Sequence, residues 1–139
     1  MDTFAHALWA GIGIVAARLR DRIRLALPAI VRAWEEKDLR RAVASLRNDG
    51  WTRWEAANIG GLRLLASCGG GEALDCTADW PLYAVNRMAA AEILATGMRR
   101  VTLSPEDSLA NMRSLLAELG DRAAVVVYQD VPLFISETC

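Results

Sequence analysis

Arg100-Val101-Thr102-Leu103-Ser104-Pro105-Glu106-Asp107, then Leu109, Met112, Leu115, Leu116 and Leu119 at helical spacing, then Gly120 and Ala123-Ala124-Val125-Val126-Val127-Tyr128: this stretch decides the fold. The outer runs are apolar and β-branched, as strands are, and the middle carries one apolar stripe at a period of 3.6. Ser104 is expected to cap the helix, with Pro105 supplying the first-turn φ and Asp107 facing the positive end of the helix dipole. Gly120 provides the stop. Strand, helix, strand with short joins is the βαβ unit of a parallel sheet. Its polar clusters, Ser104-Pro105-Glu106 and Tyr128-Gln129-Asp130, both follow strand C-terminal ends, the edge on which such folds build sites.

The same alternation extends upstream. Strands are expected at Ile23–Pro28, Trp51–Asn58 and Leu74–Ala78, and helices at Trp34–Asn48, Ile59–Cys68 and Asn86–Thr96. Gly50 and Gly97 stop two of these helices, and an apolar helix at Asp2–Arg20 precedes the series. Gly69-Gly70-Gly71 reads as a plain loop, because no Lys-Ser/Thr pair follows it. The expected fold is α/β, a partial TIM-type (β/α) barrel of about five parallel strands with covering helices. Evenly spaced units without a glycine-rich dinucleotide turn favour a barrel over an open doubly wound sheet. Residues 1–139 form a single domain, an incomplete barrel segment with the N-terminal helix at 2–20.

Composition narrows the function classes. A net charge of -1 gives no basic footprint for nucleic acid, whose binding stays open. Only Lys37 among the basic residues is lysine, and it lies beyond the first strand, so a Schiff-base lysine is poorly placed. Phe4–Ala17 is apolar apart from His6, but a membrane span takes ~20 residues. With only Asp2 charged before it, that run also lacks a basic leader. Cys68, Cys76 and Cys139 do not make a disulfide framework, so the expected compartment is cytoplasmic. The spacing of Cys68 and Cys76 is not that of a metal knuckle, which makes both buried thiols.

Asn58, Asp79, Asn86, Ser104, Glu106, Tyr128 and Asp130 all follow strand ends and are expected to converge on one rim. Glu106 is the catalytic candidate, a carboxylate in the first helical turn pointing at the site. Asn58, Asn86, Ser104 and Tyr128 are the substrate-binding candidates. Each also has a plain use, as a helix cap worth ~1 kcal/mol or as a turn former. His6 sits in an apolar run and reads as core, which removes any Ser-His-Asp or Cys-His arrangement.

These residues together resemble the collagenase-like peptidase family U-thirty-two. The family's Leu-Ser-Pro-Glu strand end stands here as Leu103-Ser104-Pro105-Glu106. Its Val-Tyr-Gly, Pro-Leu-Met and cysteine are matched by Val127-Tyr128-Gln129, Pro132-Leu133-Phe134 and Cys139. Asn58-Ile59-Gly60 and Leu82-Tyr83-Ala84-Val85-Asn86 resemble its Asn-x-Gly and Leu-Asn-x-x-Asn patterns, with Tyr83 replacing the first asparagine. The resemblance implies a TIM-type barrel and an iron–sulfur cluster whose first ligand is matched by Cys139. It further implies oxygen-independent hydroxylation of RNA bases or a quinone precursor, alongside members named as collagenases. The other cluster cysteines have no counterpart in this sequence, and a cluster needs about four. The chain is therefore expected to hold no stable cluster alone and to self-associate, or to depend on a C-terminal segment or homologous subunit that completes the barrel. The alternatives are a non-catalytic remnant or interaction module, and a collagenase-like protease.

Overall fold

The local chemistry of the chain sets its elements in strict alternation. The structure, a computed structural model, describes residues 20–68 and 74–130. In order these form β1 (Leu25–Ala26), α1 (Glu36–Asn48), β2 (Arg53–Ala56), α2 (Ile59–Ser67), β3 (Asp75–Ala78), α3 (Arg87–Ala95), β4 (Arg100–Leu103), α4 (Leu109–Leu119) and β5 (Ala123–Val125). Side-chain caps start three of the helices: Asn58 accepts from Gly61 N–H, Asn86 from Ala89 N–H and Ser108 from Asn111 N–H. Gly50 and Gly97 follow helices at φ +85 and +96. A Cβ at Gly97 would meet nothing within 4 Å, so backbone conformation alone requires glycine there.

The described strands are all parallel, in the order β1-β2-β3-β4-β5. Sequential order with right-handed crossovers puts every connecting helix on one face, the arrangement of part of a (β/α) barrel. Side chains confirm the sidedness. Register aligns Leu25 with Trp54 and Cys76, and Ala56 with Ala78, Val101 and Ala123. These residues join one cluster with Val43 of α1, Leu64 and Leu65 of α2, Ala90 and Leu94 of α3, and Leu115 of α4. Trp54, only 1% exposed, also donates its indole N–H to Trp51 O at 3.0 Å, so its polar atom is satisfied.

The opposite parity tells a different story. Arg53, Glu55, Asp75, Thr77, Arg100 and Thr102 alternate with that apolar set and face the other way. Barrel interiors are normally filled by layers of Val, Ile and Leu, whereas this face is charged and hydroxylated.

The C-terminal unit departs from the sequence reading. The segment expected to open a helix at Ser104 is instead a turn, closed by Asp107 N–H donating to Ser104 O at 3.2 Å. The helix begins at Leu109 with Ser108 as its cap. Ser104 is fully buried, with its hydroxyl oxygen accepting from Glu106 N–H at 3.2 Å. The last strand ends at Val125, short of the expected Tyr128, because nothing described pairs beyond β4's Leu103. The helix proposed at 2–20, His6 and Cys139 lie outside the described residues. None of the described helices is long and apolar enough to cross a membrane.

Candidate functional site at the strand C-terminal rim

Two strand ends, β3 and β4, carry the candidate site. After β3, Asp79 caps a short 3₁₀ turn, Trp80–Leu82, its Oδ1 accepting from Trp80 N–H at 2.7 Å. Tyr83 ends that turn with φ 52 and ψ 55, the sole non-glycine residue with positive φ among those described. A tyrosine in the left-handed region costs of order 1 kcal/mol or more, and such strain concentrates at functional sites. Here it has a visible product. The Tyr83 hydroxyl donates to Glu106 Oε2 at 3.3 Å, and the Tyr83 ring meets Trp80 edge to face at 6.3 Å. Glu106 sits in the turn after β4, not in a first helical turn, and this pairing joins the two strand ends.

Beneath the rim, on the face without the described helices, Glu55 lies half-buried opposite Thr77. Burial first, and the nearby Asp79 carboxylate second, push the Glu55 carboxyl above its ordinary value, against the opposing pull of Arg24. Thr77 is 5% exposed, and its Oγ1 is buried without a hydrogen-bond partner.

The strand N-terminal end behaves otherwise. Arg24 donates to Trp54 O at 2.9 Å, to Asp75 O at 2.6 Å and to Asp75 Oδ2 at 3.0 Å, while Arg53 Nε reaches the same Oδ2 at 3.0 Å. Burial alone would raise the Asp75 carboxyl. The hydrogen bonds and charges of Arg24, then Arg53, overcome it and leave Asp75 below its ordinary value.

The expected site residues separate accordingly. Asn58 is consumed by structure: besides capping α2 it donates to Pro28 O at 3.3 Å and Ala29 O at 2.6 Å, tying β1's exit to the next unit. Asn86 caps α3, and Ser104 is sealed in its turn. Tyr128 is 86% exposed, beyond the end of β5, with no described partner. Glu106 alone of the named candidates takes part in a side-chain pair across the rim. Tyr83, Glu55 and Thr77 are the site residues that sequence reasoning passed over. The signal for the last two was present, because Arg53 and Glu55 alternate with Trp54 and Ala56, as Asp75 and Thr77 do with Cys76 and Ala78.

A separate cavity of about 630 Å³ lies on the helix side, between the β1 exit and α2, lined by Ile30, Val31, Arg40, Gly60, Arg63 and Leu64 among others.

Of the two described cysteines, Cys68 is only partly buried, at the end of α2, rather than the buried thiol expected. Cys76 is buried in the core, and that burial is the main cause of a thiol held above its ordinary value, so it is a poor thiolate ligand. Among the described residues no group of three or more His, Cys, Asp or Glu side chains is placed to hold a metal.

Fold and site together define a parallel α/β sheet of the partial-barrel type with a polar inner face and a tyrosine–carboxylate pair at its C-terminal rim. Comparison with protein-family profiles, curated proteins and solved structures finds no match to this chain.

Proposed function

We propose that this chain supplies the N-terminal part of a (β/α)-barrel enzyme of the peptidase U-thirty-two type, acting in oxygen-independent hydroxylation of an RNA base or a quinone precursor. The observation that carries the reading is the Tyr83–Glu106 hydrogen bond, which unites the Leu103-Ser104-Pro105-Glu106 strand end with the strained loop after β3. Tyr83 donates its proton toward Glu106, which orients the carboxylate as an acceptor for a proton leaving a bound substrate. Glu55, whose carboxyl burial and the Asp79 charge raise above its ordinary value, is the complementary donor deeper in the face. On this reading Cys139 is this chain's contribution to the cluster, and a segment or subunit that completes the barrel supplies the other ligands. The cytoplasm suits free thiols such as Cys68 and Cys76. A peptidase reading gains nothing from Ser104, which is sealed and already accepts a backbone N–H.

The test is genetic and chemical. RNA nucleosides and quinone precursors from a strain lacking the gene are compared by mass spectrometry with those from strains carrying the wild type or Glu106→Gln. A product short of one oxygen atom in the deletion, restored by the wild type and not by the variant, is the expected result. An unchanged product profile in the deletion strain refutes the hydroxylation reading, and full restoration by Glu106→Gln refutes the role of Glu106.

A further inference from the structure

The starts of β4 and β5 gather three arginines around one cavity. Gly97, at φ +96, turns the chain out of α3, and Arg99 N–H then donates to Cys76 O at 2.8 Å, which fixes this segment against β3. Arg100 opens β4, and Arg122 closes the 3₁₀ turn Gly120–Arg122 that leads into β5. The Val101–Ala123 register pair makes Arg100 and Arg122 adjacent across the two strand starts. With Arg99 they line a cavity of about 470 Å³, to which Leu74 and Met98 add an apolar wall. That volume is within the range of small-molecule sites.

The charges of this cavity are not matched from within. Arg100 donates from Nε to Asp121 O at 2.7 Å, a bond to backbone that leaves its two terminal nitrogens without a partner among the described residues. The guanidinium groups of Arg99 and Arg122 have neither an ion pair nor a hydrogen bond among the described residues. Asp121 lines the same cavity, yet its carboxylate forms no ion pair with any of the three. On the polar face, by contrast, Arg24 and Arg53 share the Asp75 carboxylate. Three cations against one carboxylate leave two net positive charges around the recess. Such a recess focuses its field and raises the local concentration of anions.

We propose that the cavity framed by Arg99, Arg100 and Arg122 binds the phosphate group of a small organic phosphate monoester. At neutral pH such a group carries about −1.5 to −2 charges, which matches the net charge of the cavity. Its oxygens accept, and each guanidinium offers a planar fork of donors with no acceptor, so the bonds are charge-assisted. Leu74 and Met98 supply the surface for the organic group. The site lies at the opposite end of the strands from the Tyr83–Glu106 pair and is independent of the hydroxylation reading.

The experiment titrates the full chain with phenyl phosphate, inorganic phosphate and phenyl sulfate at matched ionic strength and follows backbone amide NMR shifts. Saturable shifts at Met98, Arg99, Asp121 and Arg122 are expected with phenyl phosphate. Its affinity should exceed that of inorganic phosphate, which lacks the organic group, and of phenyl sulfate, which carries one charge. Arg99→Gln and Arg122→Gln alter exposed side chains and each weaken binding about tenfold. Arg113→Gln, exposed on α4 and outside the cavity, leaves the affinity unchanged. Asp121→Asn removes the competing carboxylate and tightens binding about threefold, a gain that no loss of folding can mimic. No saturation with phenyl phosphate, equal affinity for phenyl sulfate, wild-type affinity in both arginine variants, or no gain in Asp121→Asn would each overturn the assignment. Equal affinity for inorganic phosphate would make free phosphate the ligand and overturn the monoester.

Discussion

The two ends of the same sheet have opposite habits. At the strand N-terminal end the charges of the polar face are paired: one carboxylate, Asp75, is shared by two arginines, and Arg24 also bonds carbonyls of two neighbouring strands. At the C-terminal end a tyrosine is strained, a glutamate is pushed toward its neutral form, and a buried hydroxyl goes without a partner. Both ends are built from the same strands, three or four residues apart, so composition does not explain the contrast. In barrel enzymes the lower face holds the fold together while the upper face carries the chemistry. The distribution of unmet hydrogen-bonding capacity follows that division.

Substitutions test this contrast most strongly at the lower end. Arg24→Ala removes two carbonyl bonds and a charged one, and is expected to lower unfolding free energy by about 2–3 kcal/mol in denaturant titration. A loss below ~0.5 kcal/mol, the level of an ordinary surface change, would erase the contrast. Next in size is Asp75→Asn, expected to cost about 1–2 kcal/mol at neutral pH because it leaves both guanidinium groups without their carboxylate. The pH dependence gives this prediction its sign. Asp75 has a depressed pKa when folded, so its contribution is present above the ordinary value of 3.8 and is lost as pH falls through the lower folded value. The variant should flatten the acid limb of the stability curve, and a wild-type acid limb would show that the Asp75 bridge contributes nothing.

The upper end should respond in the opposite direction. Glu55 has a raised pKa, so the folded state holds its proton longer and stability declines as pH rises from 4.5 through the folded value. Glu55→Gln removes that decline and is expected to stabilise the chain at neutral pH by at most ~1 kcal/mol, since water still screens a half-buried group. Thermal melts at pH 5 and pH 8 check it, and destabilisation at pH 8 would count Glu55 among the structural charges. Smallest of all, Tyr83→Phe should change stability by less than ~0.5 kcal/mol, because its hydroxyl bond to Glu106 is exposed. A large loss in that variant would make the rim pair a structural clamp.

Much of the fold was legible because its signals are local. Asn86 announced a helix start, Gly50 and Gly97 helix stops, and the β-branched runs announced strands. The start of α4 was misread for a physical reason. Ser104 and Ser108 stand four residues apart with a proline between them, and both look like caps. Ser104's own carbonyl and hydroxyl close the intervening turn, so the cap falls to Ser108. The site was less legible because caps and binding residues share chemistry. Asn58, Asn86 and Ser104 were put forward as substrate contacts, and the structure spends all three on backbone bonds. Glu55 counted against the strand at Trp51–Asn58 when its side was unknown. Which alternate residues face helices is settled only by strand order, and strand order is not a local property.

Strand order also fixes where the sheet can be extended. With the five described strands in sequence order, β1 and β5 are the free edges, and the β5 edge ends near the exposed Val125. A second copy pairing its β1 with this β5 would continue the parallel sheet head to tail. Among the described residues those two edges carry the sheet's open backbone N–H and C=O groups, so a strand added to this sheet joins it at β1 or at β5.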